Sequence, residues 1–282
     1  MNKKDLYALI GWPVANSASP LMQEAAFRAV GLCASYELIA VEPSALTASI
    51  QRLKEQGYRG WNVTIPHKEM VLPLLDALDP EAEKIGSVNT VLSKQGELWG
   101  YSTDGYGLAK ALKINFNLPI DGASILFLGT GGAARAAAVY AAMKGAAEIV
   151  LVNRTLERAE AVAASIRLVA PSCRVKVLSL ADRDSVAVAL RQASVMIHAT
   201  SLGLHPNDPL PFPISEIPRC LPVFDMIYGH SDFQQKLCEN GNLVACGWDM
   251  LLYQGCRSFE LWTGLPAPER AMRQALAEHK KV

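Results

Sequence analysis

From Ala123 onward the chain repeats one pattern, a short, largely apolar run followed by a connecting stretch and then another run. The runs are Ile125 to Leu128, Ile149 to Val152, Val175 to Leu178, Val195 to Ala199, Val223 to Ile227 and Leu243 to Ala245. Between the first three lie two clear helical patterns, Ala133 to Lys144 and Leu156 to Ala170. Strands built of continuous apolar residues and separated by helices require cover on both faces. The architecture that supplies it is a parallel sheet with helices on either side.

The first hundred residues are more mixed. Leu6 to Ile10, Pro20 to Val30, Tyr36 to Ile39, Leu46 to Gln56 and Trp61 to Val63 alternate strand and helix patterns, as βαβ units do. Ser87 to Leu92 and Leu98 to Tyr101 are divided by Lys94-Gln95-Gly96, which reads as a hairpin turn and makes this sheet mixed. The last stretches, Met250 to Trp262 and Pro268 to His279, are helical with no strand between them. The expectation is an α/β protein of two α/β domains. An amino-terminal substrate domain with a mixed sheet spans 1–104 and is completed by helices of 247–282 that return to it. A parallel-sheet dinucleotide-binding domain spans 105–246.

Bulk properties narrow the partners. With 282 residues, half of them hydrophobic, the chain has material for two ordinary cores. Lysine plus arginine equals aspartate plus glutamate at 27 each, so no excess charge is available for a phosphate backbone or an anionic membrane. The expectation is no nucleic acid and no membrane. Leu6 to Ile10 is too short for a signal peptide, and the alanine-rich stretch from Ala133 to Val152 is broken by Arg135, Lys144 and Glu148, so a cytoplasmic protein is expected. Cys33, Cys173, Cys220, Cys238, Cys246 and Cys256 form no C-x-x-C pair, and no second histidine stands at metal spacing from His67, so no metal is expected. Monomer and homodimer are both compatible with the sequence.

Gly129-Thr130-Gly131-Gly132-Ala133-Ala134-Arg135 directly follows a strand pattern and opens a helix. Glycines there let the backbone turn and approach a pyrophosphate, whose charge meets the N–H groups of the helix start. About twenty residues on, where an NAD enzyme carries an acid for the ribose 2′-hydroxyl, this chain has Asn153-Arg154-Thr155. A guanidinium can pair with a 2′-phosphate that a carboxylate would repel, so NADP(H) is favoured. Arg158, one turn into the next helix, is either a second positive contact or part of a solvated helix face.

Four polar clusters sit at element ends in the first half: Ser17 and Ser19, Asn62 to Lys68, Asn89-Thr90, and Thr103-Asp104. Singly they read as helix caps and turn residues, with Lys68 a helix lysine paired to Glu69 or Asp76. Together they offer hydroxyls, amides, one ammonium and one carboxylate to a small polyhydroxylated anion in a single crevice.

Gly11-Trp12-Pro13 with Ser17-Ala18-Ser19-Pro20, followed by Asn62-Val63-Thr64-Ile65-Pro66-His67-Lys68, resembles the signature of the shikimate dehydrogenase family. Gly86 to Thr90, Ser102 to Gly105, the glycine loop, Asn153 to Thr155, Ala199-Thr200-Ser201-Leu202-Gly203 and Gly247 through Gln254 extend the resemblance, in order, over nearly the whole chain. The resemblance implies NADPH-dependent reduction of 3-dehydroshikimate to shikimate, a step of aromatic amino-acid biosynthesis. It implies that Lys68 and Asp104 flank the reacting C3 oxygen. Ser17 and Ser19 would take the substrate carboxylate, and Thr64, Asn89 and Gln254 its hydroxyls, with Tyr228 nearby. The cofactor would be held by Gly129, Gly131, Gly132, Ala133, Asn153, Arg154, Thr155, Arg158, Thr200, Gly247 and Met250. Whether Lys68 or Asp104 gives the proton stays open at this stage.

The chain departs from the family pattern at Ser102, where asparagine is common, at His198, where an asparagine usually precedes Ala-Thr-Ser, at Leu204 in place of methionine, and at Gly229-His230 in place of Asn-Pro. Two alternative functions therefore accompany the main one. A shikimate/quinate dehydrogenase or divergent paralogue would keep the chemistry on another substrate. A dinucleotide-sensing binding protein would keep the fold without turnover, but it would have no need of Lys68, Asp104 and Gln254.

Overall fold

The computed structural model describes residues 4–205, 207–229 and 231–279. His230, one of the departures named above, lies outside the described residues. The chain divides into two compact units, one made of residues up to Gly107 together with those from Leu251 onward, the other of Leu108–Met250.

In chain order the elements are β1 (Asp5–Gly11), α1 (Ser19–Ala29), β2 (Ala34–Ala40), α2 (Leu46–Gln56), β3 (Gly60–Val63), α3 (His67–Met70), β4 (Ala77–Leu78), α4 (Pro80–Ile85), β5 (Thr90–Lys94), β6 (Glu97–Tyr101) and α5 (Asp104–Phe116). Then follow β7 (Ser124–Leu128), α6 (Gly132–Met143), β8 (Glu148–Asn153), α7 (Leu156–Val169), β9 (Arg174–Ser179), α8 (Arg183–Gln192), β10 (Val195–His198), β11 (Val223–Asp225), α9 (Asp232–Asn240), β12 (Val244–Cys246), α10 (Gly247–Thr263) and α11 (Glu269–His279).

The first unit holds a mixed sheet in the order β2-β1-β3-β5-β6-β4, with β1 parallel to β2 and β3, and with β5 antiparallel to β3 and β6. Alternation along β1 sends Ala8 and Ile10 to one face and Tyr7 and Leu9 to the other. Ala8 and Ile10 pack with Leu46, Ile50 and Leu53 of α2 and with Trp61, Val63 and Val91. On the Tyr7 side lies an aromatic stack: Tyr7 meets Phe27 at 4.9 Å and Trp262 at 5.2 Å between ring centroids, and Phe27 meets Phe259 at 5.8 Å. Trp262 donates its indole N–H to the Val91 carbonyl at 2.9 Å. A side chain at Gly60 would strike that ring at 2.4 Å, so glycine is needed where α10 lies against β3.

The Lys94-Gln95-Gly96 turn has left-handed backbone at Gln95 (φ 53°) and Gly96 (φ 87°), the conformation that matches the twist of a two-residue hairpin. The strand before it starts at Thr90 rather than Ser87, because the Val88 N–H donates to the Lys68 carbonyl and turns this stretch towards α3.

The second unit holds an all-parallel sheet in the order β12-β11-β10-β7-β8-β9. The order reverses between β7 and β10, which is where doubly wound folds bind nucleotides at the carboxyl ends of the strands. β11 stops at Asp225 rather than Ile227 because the Ile227 N–H donates to the Asp225 carboxylate at 3.0 Å and carries the chain out of the strand.

Candidate active site

Lys68 lies on the one-turn helix α3 after β3, and Asp104 is the first residue of α5. Their side chains meet at 2.5 Å between Nζ and Oδ2, with only 14% and 8% of their surfaces exposed. A carboxylate at a helix start sits in the positive end of the helix dipole. The second oxygen of Asp104 accepts from the Asn89 amide at 2.9 Å. Asp76, one of the partners that spacing offers Lys68, pairs with Lys54 at 3.5 Å and accepts from the Leu98 N–H.

Asn89 is the node of the group. Its amide nitrogen also lies 2.9 Å from the Thr103 hydroxyl and 3.2 Å from Oε1 of Gln254, and its oxygen accepts from the Thr103 N–H at 2.8 Å. Gln254, on α10, donates to the Leu251 carbonyl. Lys68, Asp104, Asn89 and Gln254 thus form one connected cluster within the first unit.

Behind it is a second, fully buried layer. Asn62 of β3 accepts from the Tyr36 hydroxyl at 2.7 Å, and its amide donates to the Asn89 carbonyl, to Thr90 and to Ser258 at 3.0–3.1 Å. The Ser258 hydroxyl, on α10, reaches Thr90 at 2.7 Å and Thr103 at 3.4 Å and donates to the Gln254 carbonyl. Burial pushes the Tyr36 hydroxyl well above its ordinary range, so at neutral pH it is a hydrogen-bond donor. The sequence places Asn62 in a strand run and among the polar clusters of the crevice but does not single out Tyr36 and Ser258. The available signal was the four-residue spacing of Gln254 and Ser258, which puts both on one helix face.

Ser17 and Ser19 do not act as side-chain caps. The cap position of α1 is Ala18, and the two hydroxyls lie 3.2 Å apart, with Ser17 Oγ also accepting the Ser19 N–H. Thr64 bonds through its backbone to Ile10 and His67, and its methyl group closes on Gly11, where a side chain would meet it at 2.3 Å. His67 is wholly buried with Nε2 2.6 Å from the Val41 carbonyl, a structural contact. Among the described residues no group of three or more potential ligands could hold a metal ion.

In the second unit, Gly129 leaves β7 with φ +100°, and a side chain there would meet Thr200 and the Ala199 carbonyl within 2.9 Å. Its neighbours differ. A Cβ at Gly131 or Gly132 would meet nothing within 4 Å, and neither has left-handed backbone, so the fold itself does not demand glycine at either place. What glycine leaves there is bare backbone at the start of α6, whose Gly131 cap offers no side chain to the first turn. The Thr130 hydroxyl oxygen is buried in the same loop without a hydrogen-bond partner. Ala133 follows in the first turn of α6. Such a loop fits a pyrophosphate.

Asn153 closes the turn after β8 by donating to the Thr155 carbonyl at 2.9 Å, which leaves Arg154, Thr155 and Arg158 exposed. Gly247 is fixed by packing, because a side chain would lie 2.2 Å from the Met226 carbonyl. Met250 is buried at the end of this unit. Tyr228 follows β11 and packs on Trp248 with ring centroids 4.9 Å apart, in the second unit and not in the Lys68 cluster.

Comparison with known proteins covers almost the entire chain. Residues 9–91 match the family described as shikimate dehydrogenase substrate binding domain, residues 110–205 that described as shikimate / quinate 5-dehydrogenase, and residues 247–277 the shikimate 5′-dehydrogenase C-terminal domain. The shikimate dehydrogenase (NADP(+)) of Methanopyrus kandleri is 39% identical over 280 residues, covering 98% of this chain and 96% of that one. The crystal structure of shikimate dehydrogenase from Aquifex aeolicus superposes with a TM-score of 0.88 at 34% identity, over 98% of each chain. That of shikimate 5-dehydrogenase from Thermus thermophilus, in complex with NADP(H) and shikimate, does so with a TM-score of 0.85 at 33% identity, over 97% of this chain and 99% of that one. With its mixed-sheet unit carrying the Lys68 cluster and its parallel-sheet unit carrying the glycine loop, this chain belongs to the shikimate dehydrogenase family.

Proposed function

We propose that this chain catalyses the reversible, NADPH-dependent reduction of 3-dehydroshikimate to shikimate. The observation that carries the reading is the near-buried pair of Lys68 and Asp104, held by Asn89 next to Gln254. When bound, the reduced nicotinamide supplies the hydride that adds to the substrate carbonyl carbon; the carbonyl π pair moves to oxygen, which then takes a proton.

The residues divide the remaining tasks. Both oxygens of Asp104 accept hydrogen bonds, one from Lys68 and one from Asn89, so this carboxylate serves as an acceptor that holds the lysine. The ammonium has three N–H groups and spends one on Asp104. Lys68 is therefore the group that donates a proton to the developing alkoxide and takes it back in the reverse direction. Ser17 and Ser19 bind the substrate carboxylate, and Thr64, Asn89 and Gln254 its hydroxyls.

For the cofactor, the open backbone at Gly131 and Gly132 receives the pyrophosphate and exposed Arg154 the 2′-phosphate, with Arg158 beside it on α7. Among the described residues no helix is long and apolar enough to cross a membrane, and the six cysteines are free, in keeping with a cytoplasmic enzyme. The test is the loss of reduced-nicotinamide absorbance with 3-dehydroshikimate present and absent, and its gain from NADP+ with shikimate or quinate. Turnover of the shikimate pair at rates well above the quinate reaction is expected. Cofactor binding without turnover of any of these would overturn the proposal in favour of a dinucleotide sensor.

A further inference from the structure

His198 and Asp225 are both wholly buried, at the ends of neighbouring strands β10 and β11, and the proposed chemistry uses neither. His198 Nδ1 lies 2.8 Å from Oδ1 of Asp225, and Nε2 lies 2.7 Å from the Thr200 hydroxyl. The ring packs on Phe233 with centroids 5.2 Å apart and planes inclined at 67°. Asp225 is held in turn by the Ile227 N–H at 3.0 Å, the Gln234 amide at 2.9 Å and the Ser231 hydroxyl at 3.3 Å. A carboxylate so surrounded only accepts, so Nδ1 carries the hydrogen. Nε2 is then left to the Thr200 hydroxyl. The same Thr200 oxygen accepts the Leu202 N–H at 3.1 Å.

This fixes which way Thr200 faces. With its hydroxyl turned to His198, its methyl group stands over Gly129, the residue that swings the chain out of β7 into the glycine loop. A relay thus runs from Asp225 through His198 and Thr200 to the backbone of that loop, across the two strand ends where the sheet order reverses.

We propose that His198 is a positioning residue for the cofactor: it locks Thr200 and thereby sets the wall against which the Gly129 loop receives the dinucleotide. The proposal rests on the reading of that loop as the NADP(H) site. It predicts that affinity for NADPH, rather than the chemical step, depends on the hydrogen bond between Thr200 and His198.

The side-chain amide of asparagine can take the place of Nδ1 and keep Asp225 satisfied but is too short to reach Thr200; that of glutamine reaches the place of Nε2. The experiment measures NADPH affinity by calorimetry, kcat at saturating NADPH, and Tm for full-length H198N, H198Q, T200V and H198N/T200V. Loss of one neutral hydrogen bond predicts that H198N and T200V each weaken NADPH binding by about twofold to tenfold. A near-native Tm is expected in H198N, whose amide keeps Asp225 bonded, along with partial recovery of affinity in H198Q and a double variant no weaker than the worse single one. Weakened binding in T200V with native affinity in H198N would overturn the role of His198 and leave the glycine-loop reading intact. Native affinity in both would overturn the inference and remove Thr200 from the cofactor site. Additive losses in the double variant would overturn the coupling between them. Should H198N fail to fold, T200V and H198Q decide: native affinity in T200V, or no better affinity in H198Q than in T200V, overturns the relay.

Discussion

The Lys68 cluster and the glycine loop solve opposite problems. The first is built of side chains that satisfy one another: Asn89 alone touches Thr103, Asp104 and Gln254, with Asn62, Thr90 and Ser258 behind it. The second is built of backbone with side chains removed, so that Gly131 and Gly132 have empty space before them. Orientation of a proton donor calls for a stiff, fully bonded setting, because a buried polar group left unpaired costs more than the bond it lost. Reception of a phosphate calls for N–H groups and room. Substitutions should therefore spread through the first region and stay local in the second.

The largest effect tests the first region. Lys68→Met should lower kcat by about a hundredfold or more, the usual scale for acid–base help, while substrate KM and NADPH affinity change little. Asp104→Asn, which keeps shape but not charge, should also lower kcat. A Lys68→Met enzyme with native kcat and only a raised KM would reduce the lysine to a binding group.

Next in size is Arg154→Ala, expected to cost about 1–3 kcal/mol in NADPH-dependent kcat/KM, the range of a hydrogen bond to a charged group. NADH-dependent kcat/KM should stay nearly the same. Equal losses with both cofactors would mean that Arg154 does not read the 2′-phosphate.

The glycine loop itself can be divided. Gly129→Ala forces a Cβ into φ +100° against Thr200 and Ala199 and should cost about 1–3 kcal/mol of stability, seen as a lower Tm. Gly131→Ala meets no atom of the protein, so its Tm should hold while its NADPH KM rises. A fall in Tm for both, with no change in KM for Gly131→Ala, would show that the loop is structural throughout.

The smallest effect sharpens the contrast. Ser258→Ala removes a hydroxyl that joins Asn62, Thr90, Thr103 and the Gln254 carbonyl. It should cost about 1 kcal/mol or somewhat more of stability, since partners are left unpaired. With the network loosened, kcat should fall modestly as well. An unchanged Tm and kcat would make the second layer dispensable.

The parallel-sheet unit was the more legible in sequence, since β7, β8 and β10 are apolar on both faces and the glycine loop sits between a strand and a helix. In the mixed-sheet unit the strands were readable but several connections were not. β4 has two residues and α3 four, too short for any periodicity to show. The role of Asn62 was hidden because nothing local shows that Tyr36 and Ser258, 26 residues before it and 196 after it, bond it. Lys68 and Asp104 could be paired only through family resemblance, because nothing local links positions 36 residues apart. His198 stood out as a departure, but its partner Asp225 was invisible until the strands were aligned.

The way α10 and α11 complete the mixed sheet bears on how the chain is made. Ribosomes deliver Leu251 and everything after it only once all of the parallel-sheet unit has been synthesised. Until then the Tyr7 and Phe27 face of the earlier sheet has no Phe259 or Trp262 to cover it, although the middle of the chain already contains every strand of its own sheet. Folding order should therefore invert translation order, with the central unit becoming protease-resistant on stalled nascent chains before the amino-terminal one does.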